Sequence, residues 1–450
     1  MSKESTGLRR DLGKLQSYAT IIGVLVGSGV FVVTGQAGAT AGPGVILAYL
    51  LLAPVILTTT LAYTVYLSTP LGNKPGGAYI HISRTLGSYY IAFVFMWLKW
   101  VAFIGALGVL ALSFGQYTTF FWPEVDPVVI ATIVALFFYV INLVGVKFYG
   151  WAQTVMFLIL MGAIAILVVP GFFAIKSENL TPFLPFGWEG VFAVMPSLFF
   201  AYAGFESLAQ TAGETKDARQ SLPRVFLKGV LASVVIYVLM SLVAFGVVKY
   251  DVLAQSNSAM ADVASHYLPF GAAGIVALGA MMAFTTSING SLMVPSRLLY
   301  VLADDRVVPK FLARVNKRWG TPDVSLTIST AIAIFLLWTQ TLGYMLNVAL
   351  QAMFLLYAVH SLSMVLLPFV RPKLFATAEI KPPVWLMVVA GLFSAACMMH
   401  FTWGMLRSVL DLMLIWTFVG SALYLYARWE GGRDGFDYNK RLVEEWMDVT

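Results

Sequence analysis

An all-α integral membrane protein of about twelve transmembrane helices is what this chain predicts. Three observations carry that expectation. The 450 residues are 59% hydrophobic and only 11% charged, against roughly 45–50% and 25% in a soluble domain. Uncharged apolar runs of about 20 residues, each able to cross a hydrocarbon core of ~30 Å, recur between Tyr18 and Arg428. Two of these runs are interrupted by small residues: Ile21 to Gly35 around Gly27-Ser28-Gly29, and Val194 to Ala212 around Ala201-Tyr202-Ala203-Gly204.

The first apolar run follows a short charged head, Lys3 to Lys14, without a small-residue cleavage site, and reads as a retained helix. The spans begin near Tyr18, Val45, Ser88, Val128, Ala152, Val191, Val225, Gly271, Val324, Met345, Val384 and Leu406. Gly42-Pro43-Gly44 turns span 1 into span 2, and Pro123 and Pro127 bracket the turn between spans 3 and 4. The longest polar stretches are Gly213 to Arg224, Lys249 to Pro269, Asp304 to Pro322 and the residues after Arg428. They read as loops and a short tail, which leaves no soluble domain.

The net charge is +6, yet its distribution points to a membrane and not to nucleic acid. With the N-terminus inside, one face collects most Lys and Arg residues, among them Lys14, Lys74, Arg84, Arg224, Arg297, Arg371 and Lys440. The other receives Lys176, Lys249 and Arg407. This positive-inside bias predicts a multi-pass protein of the cell membrane with both termini cytoplasmic. The sole cysteine, Cys397, permits no intramolecular disulfide. His81, His266, His360 and His400 are scattered without metal-ligand spacing, so neither a metal nor another cofactor is expected. His360 falls within a span, where it either packs or hydrogen-bonds backbone, or else relays protons.

A helix broken inside lipid leaves N–H and C=O groups without water, and it persists where that backbone lines a cavity. The two broken spans, 1 and 6, are five apart, so they cross in opposite directions. That is the arithmetic of an inverted repeat. It divides the chain into a head (1–17), spans 1–5 (18–173), spans 6–10 (191–370), spans 11–12 (384–428) and a tail (429–450). Freed N–H groups on Gly27, Ser28 and Gly29 carry the positive end of a half-helix dipole and suit a carboxylate. Freed carbonyls near Phe200, Ala201 and Ala203, in the break that also holds Gly204, suit an ammonium group. Two ionisable residues, Lys99 and Glu206, fall within spans and are costly there unless paired. Lys99 is about 16 Å along its helix from Ser88, roughly mid-membrane, and the two residues are expected to meet.

The motifs Gly23-Val24-Leu25-Val26-Gly27-Ser28-Gly29-Val30-Phe31, Pro75-Gly76-Gly77-Ala78-Tyr79 and Phe200-Ala201-Tyr202-Ala203-Gly204-Phe205-Glu206 occur in that order. Ala212-Gly213-Glu214, Pro223-Arg224, Ser296-Arg297, Asp304-Asp305 and Gly320-Thr321-Pro322 follow them. The set resembles the amino acid-polyamine-organocation (APC) superfamily of permeases and antiporters. The resemblance implies the five-plus-five inverted repeat of the bacterial leucine transporter, with two helices added. It also implies secondary active transport by alternating access, mostly of amino acids, with polyamines or other organocations as the alternative cargo. It places Glu206 in the inner gate.

The resemblance implies, too, a choice of coupling ion. Proton-coupled relatives carry a lysine in span 5, and counting from Gly145 and Lys147 puts Leu160 there. Sodium-coupled members use carbonyls of span 1 and hydroxyls of span 8, which Gly23, Val26, Thr285 and Thr286 match. Val30 stands where another sodium site would want a polar group. Exchange or facilitated diffusion, Na+ coupling and H+ coupling all stay open. A membrane-embedded enzyme would want a metal cluster or a nucleophile with its base, and a channel would want rings of charge or carbonyls. The sequence offers none of these, and the expected partners are an amino acid and the bilayer.

Overall fold

The computed structural model describes residues 8, 10–27, 29–119, 121–256, 258–339 and 342–447. Ser28, in the first break, lies outside the described residues. These residues form helices and turns, with one isolated backbone bridge between Leu12 and Thr215.

Span 1 comprises α1 (Lys14–Leu25), a π-helical turn (Gly29–Val33) and α2 (Thr34–Ala41), and span 2 is α3 (Val45–Leu67). A short α4 (Ala78–Leu86) leads into span 3, α5 (Tyr89–Thr118), followed by α6 (Pro127–Val144) and α7 (Val146–Phe173). Span 6 is divided into α8 (Gly187–Phe199), a 3-10 turn (Phe200–Tyr202) and α9 (Ser207–Gln210). Then come α10 (Ala218–Val247), the short α11 (Tyr250–Leu253) and α12 (Ala259–Ser265), α13 (Phe270–Asp304) and α14 (Asp323–Trp338). The chain closes with α15 (Leu342–Val370), α16 (Pro372–Ala376), α17 (Val384–Met405), α18 (Leu410–Arg433) and α19 (Tyr438–Met447).

Local chemistry sets these boundaries. The Ser88 hydroxyl caps α5 by accepting from the Ile91 N–H at 3.3 Å. The Asp126 carboxylate caps α6 by accepting from the Val128 N–H at 2.7 Å, with Pro127 at the first helical position. Gly87, at φ +67°, ends α4 in the left-handed conformation glycine favours.

Ten helical stretches among the described residues are long and apolar enough to cross a membrane. The first of them, Lys14–Leu67, contains spans 1 and 2, and Asp323–Trp338 is a shorter apolar helix. Large apolar side chains such as Phe173, Trp403 and Phe418 stand outward, 85%, 81% and 76% exposed, as a lipid-facing surface requires. The chain is a multi-pass membrane protein.

The polar stretches are more helical than their composition suggests. Helix α10 begins at Ala218, within the segment expected to be a loop, because Ser221, Leu222, Val225 and Phe226 face inward while Gln220 and Arg224 face out. Beyond Arg428, α18 continues to Arg433 and α19 forms where a tail was expected. Helix α19 is docked by Arg441, whose Nε lies 3.0 Å from Asp305 and whose other nitrogen bonds Asp304.

Helix α13 is central, with 83% of its apolar window buried against 17% for α18. It packs on α5, α7 and α1, while α3 packs on α10, and α15 packs on α5 and α17. The two broken spans therefore meet in the middle of the bundle, walled by α5, α13 and α15.

Candidate functional site

Span 1 breaks by turning on Val26. Its φ of −78° and ψ of 62° form an inverse γ-turn, closed by Gly27 N–H donating to the Leu25 carbonyl at 2.7 Å. Span 6 breaks at Ala203, which is extended, and at Gly204, at φ +96°. A β-carbon on Gly204 would also lie 2.8 Å from Val24 Cγ1. The breaks are joined by a side chain from a third helix: the Tyr237 hydroxyl on α10 lies 2.6 Å from the Leu25 carbonyl and 2.5 Å from that of Ala201. One hydroxyl thus reaches a carbonyl of each broken span, that of Leu25 being shared with the Gly27 N–H.

A cavity sits where the breaks meet. Span 1 contributes Val24, Gly27 and Gly29, and span 6 contributes Phe200, Ala203 and Gly204. Its apolar walls include Ala102, Phe103, Ala106 and Leu110 of α5 and Ala349 and Met353 of α15, with Ser287 and Ser291 of α13 adding hydroxyls. Ala201 stands behind this surface with its carbonyl taken by Tyr237. The Phe200 carbonyl accepts from Ala203 N–H at 3.0 Å, and the N–H of Gly27 is spent on Leu25. The Gly29 N–H makes no backbone hydrogen bond among the described residues.

Lys99 also lines the cavity, and its Nζ lies 2.6 Å from Glu206 Oε1, both side chains about 2% exposed. The other carboxylate oxygen accepts from Gly204 N–H at 3.1 Å and from the Tyr357 hydroxyl. The ammonium also stands 4.6 Å from the Phe103 ring centroid and 5.5 Å from that of Tyr357, within cation–π range. So α5, span 6 and α15 are tied together at one wall of the cavity by a buried pair whose charges cancel. Tyr357 and Tyr237 are absent from the residues the sequence singles out, since a tyrosine in an apolar helix gives no sign of which distant carbonyl or carboxylate it reaches.

Three of the groups matched to a cation site, Gly23, Thr285 and Thr286, have other partners. The Thr286 hydroxyl donates to the Gly23 carbonyl at 2.6 Å, and Ser287 reaches the carbonyls of Gly23 and Val24 at 3.4 and 3.1 Å. Thr285 bonds the Met282 carbonyl of its own helix at 2.9 Å, and Val26 serves as the turn residue. From span 5 it is Gln153, not Leu160, that reaches this junction: its amide nitrogen lies 3.3 Å from the carbonyls of Ala19 and Thr286. Asn289 secures it by donating to Gln153 Oε1 at 2.9 Å. A β-carbon on Gly23 would lie 3.1 Å from that amide nitrogen, so the space beside Gly23 is filled. Hydroxyl protons of Thr286 and Ser287 already lie on the Gly23 carbonyl, and a sodium ion bound there would have to displace them.

Below the cavity, toward the end holding Leu12 and α19, the sequence motifs converge in two further buried ion pairs. Arg84 clasps Asp305 at 2.6 and 3.1 Å, and Arg297 clasps Glu214 at 3.1 and 3.0 Å. Both are two-point arginine–carboxylate contacts, the geometry that best offsets desolvation. Leu12 is strapped beside the second pair, its N–H on the Glu214 carbonyl at 3.0 Å and its carbonyl accepting from Lys216 at 2.9 Å.

Comparison with known proteins agrees with this architecture. The chain is 25% identical to the methylthioribose transporter of Bacillus subtilis (strain 168), over 94% of this chain and 95% of that one. It is 25% identical to the branched-chain amino acid permease of the same organism, over 94% of each. It is also 25% identical to that organism's serine/threonine exchanger, over 79% of this chain and 83% of the relative. The family described as amino acid permease matches residues 12–423, from the Leu12 strap through both breaks to α18. The chain belongs to the amino acid permease family.

Proposed function

We propose that the protein carries neutral amino acids with compact apolar side chains across the membrane by alternating access. Amino acid transport is the activity of its family. The observation that carries the finer reading is the charge balance of the cavity: its charged wall residue, Lys99, is already neutralised by Glu206 at 2.6 Å. A cationic or anionic side chain entering would be a third charge without a partner, at a cost of several kcal/mol in a dry site. Ala102, Ala106, Ala349 and Met353 offer apolar contact instead. The substrate carboxylate is assigned to the 27–29 turn, at the start of the second half-helix of span 1, with Gly29 N–H as its donor.

The inner gate of this reading is the Lys99–Glu206–Tyr357 set together with the Arg84 and Arg297 clasps. Chain segments 18–173 and 191–370 are its two repeats, and the basic face that includes Arg84 and Arg297 is cytoplasmic. Of the two coupling ions, the proton is favoured over sodium by the Gln153 amide at the span 1–span 8 junction. The reading is that of a carrier, not an enzyme.

A thermal-shift screen of the purified protein tests the substrate class. A ligand that binds the folded state at a hundredfold excess over its Kd raises stability by about 2.7 kcal/mol. Leucine, isoleucine, valine or alanine should raise the melting temperature most, with arginine, glutamate and putrescine without effect. Methylthioribose, the solute named for one relative, is the control that lacks both ammonium and carboxylate. Stabilisation chiefly by arginine, by a polyamine or by that sugar contradicts the proposal.

A further inference from the structure

A second titratable site lies between α4 and α15, where His81 stands against His360. His81 Nδ1 and His360 Nε2 are 3.0 Å apart, with both residues no more than 1% exposed. Tyr66 stacks on His81 at 4.6 Å and 7°, and the Tyr63 ring lies 4.1 Å from that of His360. His360 Nδ1 and the Tyr63 hydroxyl are buried without hydrogen-bond partners.

A neutral imidazole has one N–H and one lone pair. When two of them share an N–H···N bond, their outer nitrogens hold between them one N–H and one lone pair, whichever tautomer the pair adopts. A proton taken up on the outer lone pair makes one ring an imidazolium. The proton between the rings can then cross, and the proton on the opposite outer nitrogen is the one released. One proton enters, one leaves, and no heavy atom need move.

The pair is placed to use this property. His360 lies one helical turn beyond Tyr357 on the same face of α15, and Tyr357 donates to Glu206, the partner of Lys99 in the cavity wall. Tyr63 bridges the same gap, touching both His360 and Phe205 of the span 6 break. On the far side, His81 is one turn before Arg84 on α4. The titratable and charged groups around the pair are Tyr63 and Tyr66 of α3, Tyr79 and Arg84 of α4, Tyr357 of α15, Glu206 of span 6 and Lys99 of α5. To these are added Arg371, which donates to the Arg84 carbonyl at 3.0 Å, and Asp305, which holds the Arg84 charge. Among the described residues neither imidazole bonds a carboxylate, so a proton on the pair is held by the phenol faces and not by a fixed anion.

We propose that the His81–His360 pair is the proton-binding site of a proton-coupled cycle, passing one proton between the Glu206 wall of the cavity and the Arg84 end as the gate between α4 and α15 opens. This rests on the amino acid transport reading above. The test uses the full chain in proteoliposomes with tritiated L-leucine and a lumenal pH dye. One proton per substrate converts an outside-acid gradient of about one pH unit into up to about tenfold accumulation. The wild type is expected to accumulate leucine under the gradient and to acidify the lumen when leucine is added. His360→Gln and His81→Gln should lose both effects while leucine–leucine exchange at equal pH persists. Wild-type leucine uptake without proton movement overturns the proposal, as does undiminished proton movement in either variant.

Absent exchange in the wild type at equal pH would instead sink the amino acid reading. The proton site is then judged by 15N-histidine spectra of the purified protein. These are expected to show the two rings sharing an N–H···N proton and taking up one further proton together, a signature lost in either variant. Two rings that titrate independently overturn the site whatever the cargo.

Discussion

The backbones of Gly29 and Ala201 are in contact: a β-carbon on Gly29 would lie 2.3 Å from the Ala201 Cα and 2.5 Å from its Cβ. Closest approach between the broken spans is therefore a backbone contact, which a side chain can only wedge apart. From the sequence, a bulky residue at 29 would simply fill the space for ligand. In the structure it must first separate the two half-helices that build the site.

Gly29→Ala is accordingly expected to disable transport despite its small size. Overpacking of this kind costs about 1–3 kcal/mol, tolerable for folding but enough to displace the Gly29 N–H from its ligand. Monodisperse Gly29→Ala protein with at least a tenfold lower rate of uptake, roughly 1.4 kcal/mol at the barrier, is the expected result. Uptake at the wild-type rate would place the site elsewhere.

Lys99 and Glu206 should show strong coupling in a double-mutant cycle. Removing one member of a buried pair leaves an uncompensated charge, at about 3–5 kcal/mol, whereas removing both is far milder. Lys99→Met and Glu206→Gln should each lower the melting temperature, with the double variant partly restored. Additive losses would mean that the 2.6 Å contact carries no net energy.

Tyr237→Phe removes the one hydroxyl shared by the Leu25 and Ala201 carbonyls. A lost hydrogen bond costs about 0.5–1.5 kcal/mol, and here the loss reaches both breaks at once, although the Leu25 carbonyl keeps the Gly27 N–H. A lower melting temperature together with weaker leucine-induced stabilisation is expected. A change in stability with ligand response intact would limit Tyr237 to a structural role.

The Asp305 carboxyl is pushed up by burial, but Arg84 and Arg441 outweigh that and hold it below the ordinary carboxylate value. A depressed pKa contributes stability that is full above about pH 4 and is lost as pH falls through the lowered value. Asp305→Asn should thus lower the melting temperature at neutral pH, by stranding Arg84, and fall less steeply than the wild type on acidification. Parallel profiles would show that the clasp does not titrate.

The span pattern was readable because lipid imposes it. The helices expected from Val45 and Val384 begin at those residues, and Ser88 caps the third. The breaks were readable because they come as a pair five spans apart, since small residues inside one apolar run serve equally for close packing, as Gly279 and Gly290 do in α13. Helix α10 escaped notice in its first turns because hydropathy averages over residues such as Gln220 and Leu222, one exposed and the other buried. The Lys99–Glu206 contact followed from the cost of lone charges in lipid together with the neighbouring of spans 3 and 6 that the family resemblance implies. Gln153, Tyr237 and Tyr357 did not follow, since each is a common residue on an apolar helix whose role lies in a partner dozens to hundreds of positions away. His360 was legible as an ionisable residue within a span, but its partner His81 was not until α4 and α15 bring them together.

Replacing sodium by choline at fixed pH should leave leucine uptake unchanged, because the Gln153 amide and the Thr286 hydroxyl already satisfy the carbonyls at the junction. Uptake that collapses in choline would show that this junction rearranges to admit the ion.

The most direct test of the central claim, that a neutral amino acid binds where the two broken spans meet, is exchange in proteoliposomes. Uptake of labelled leucine should saturate, accelerate when unlabelled leucine is placed inside, resist competition by arginine, glutamate and putrescine, and vanish in a properly inserted Gly29→Leu protein. Normal exchange by Gly29→Leu, or no saturable uptake of any neutral amino acid by the folded wild type, would contradict it.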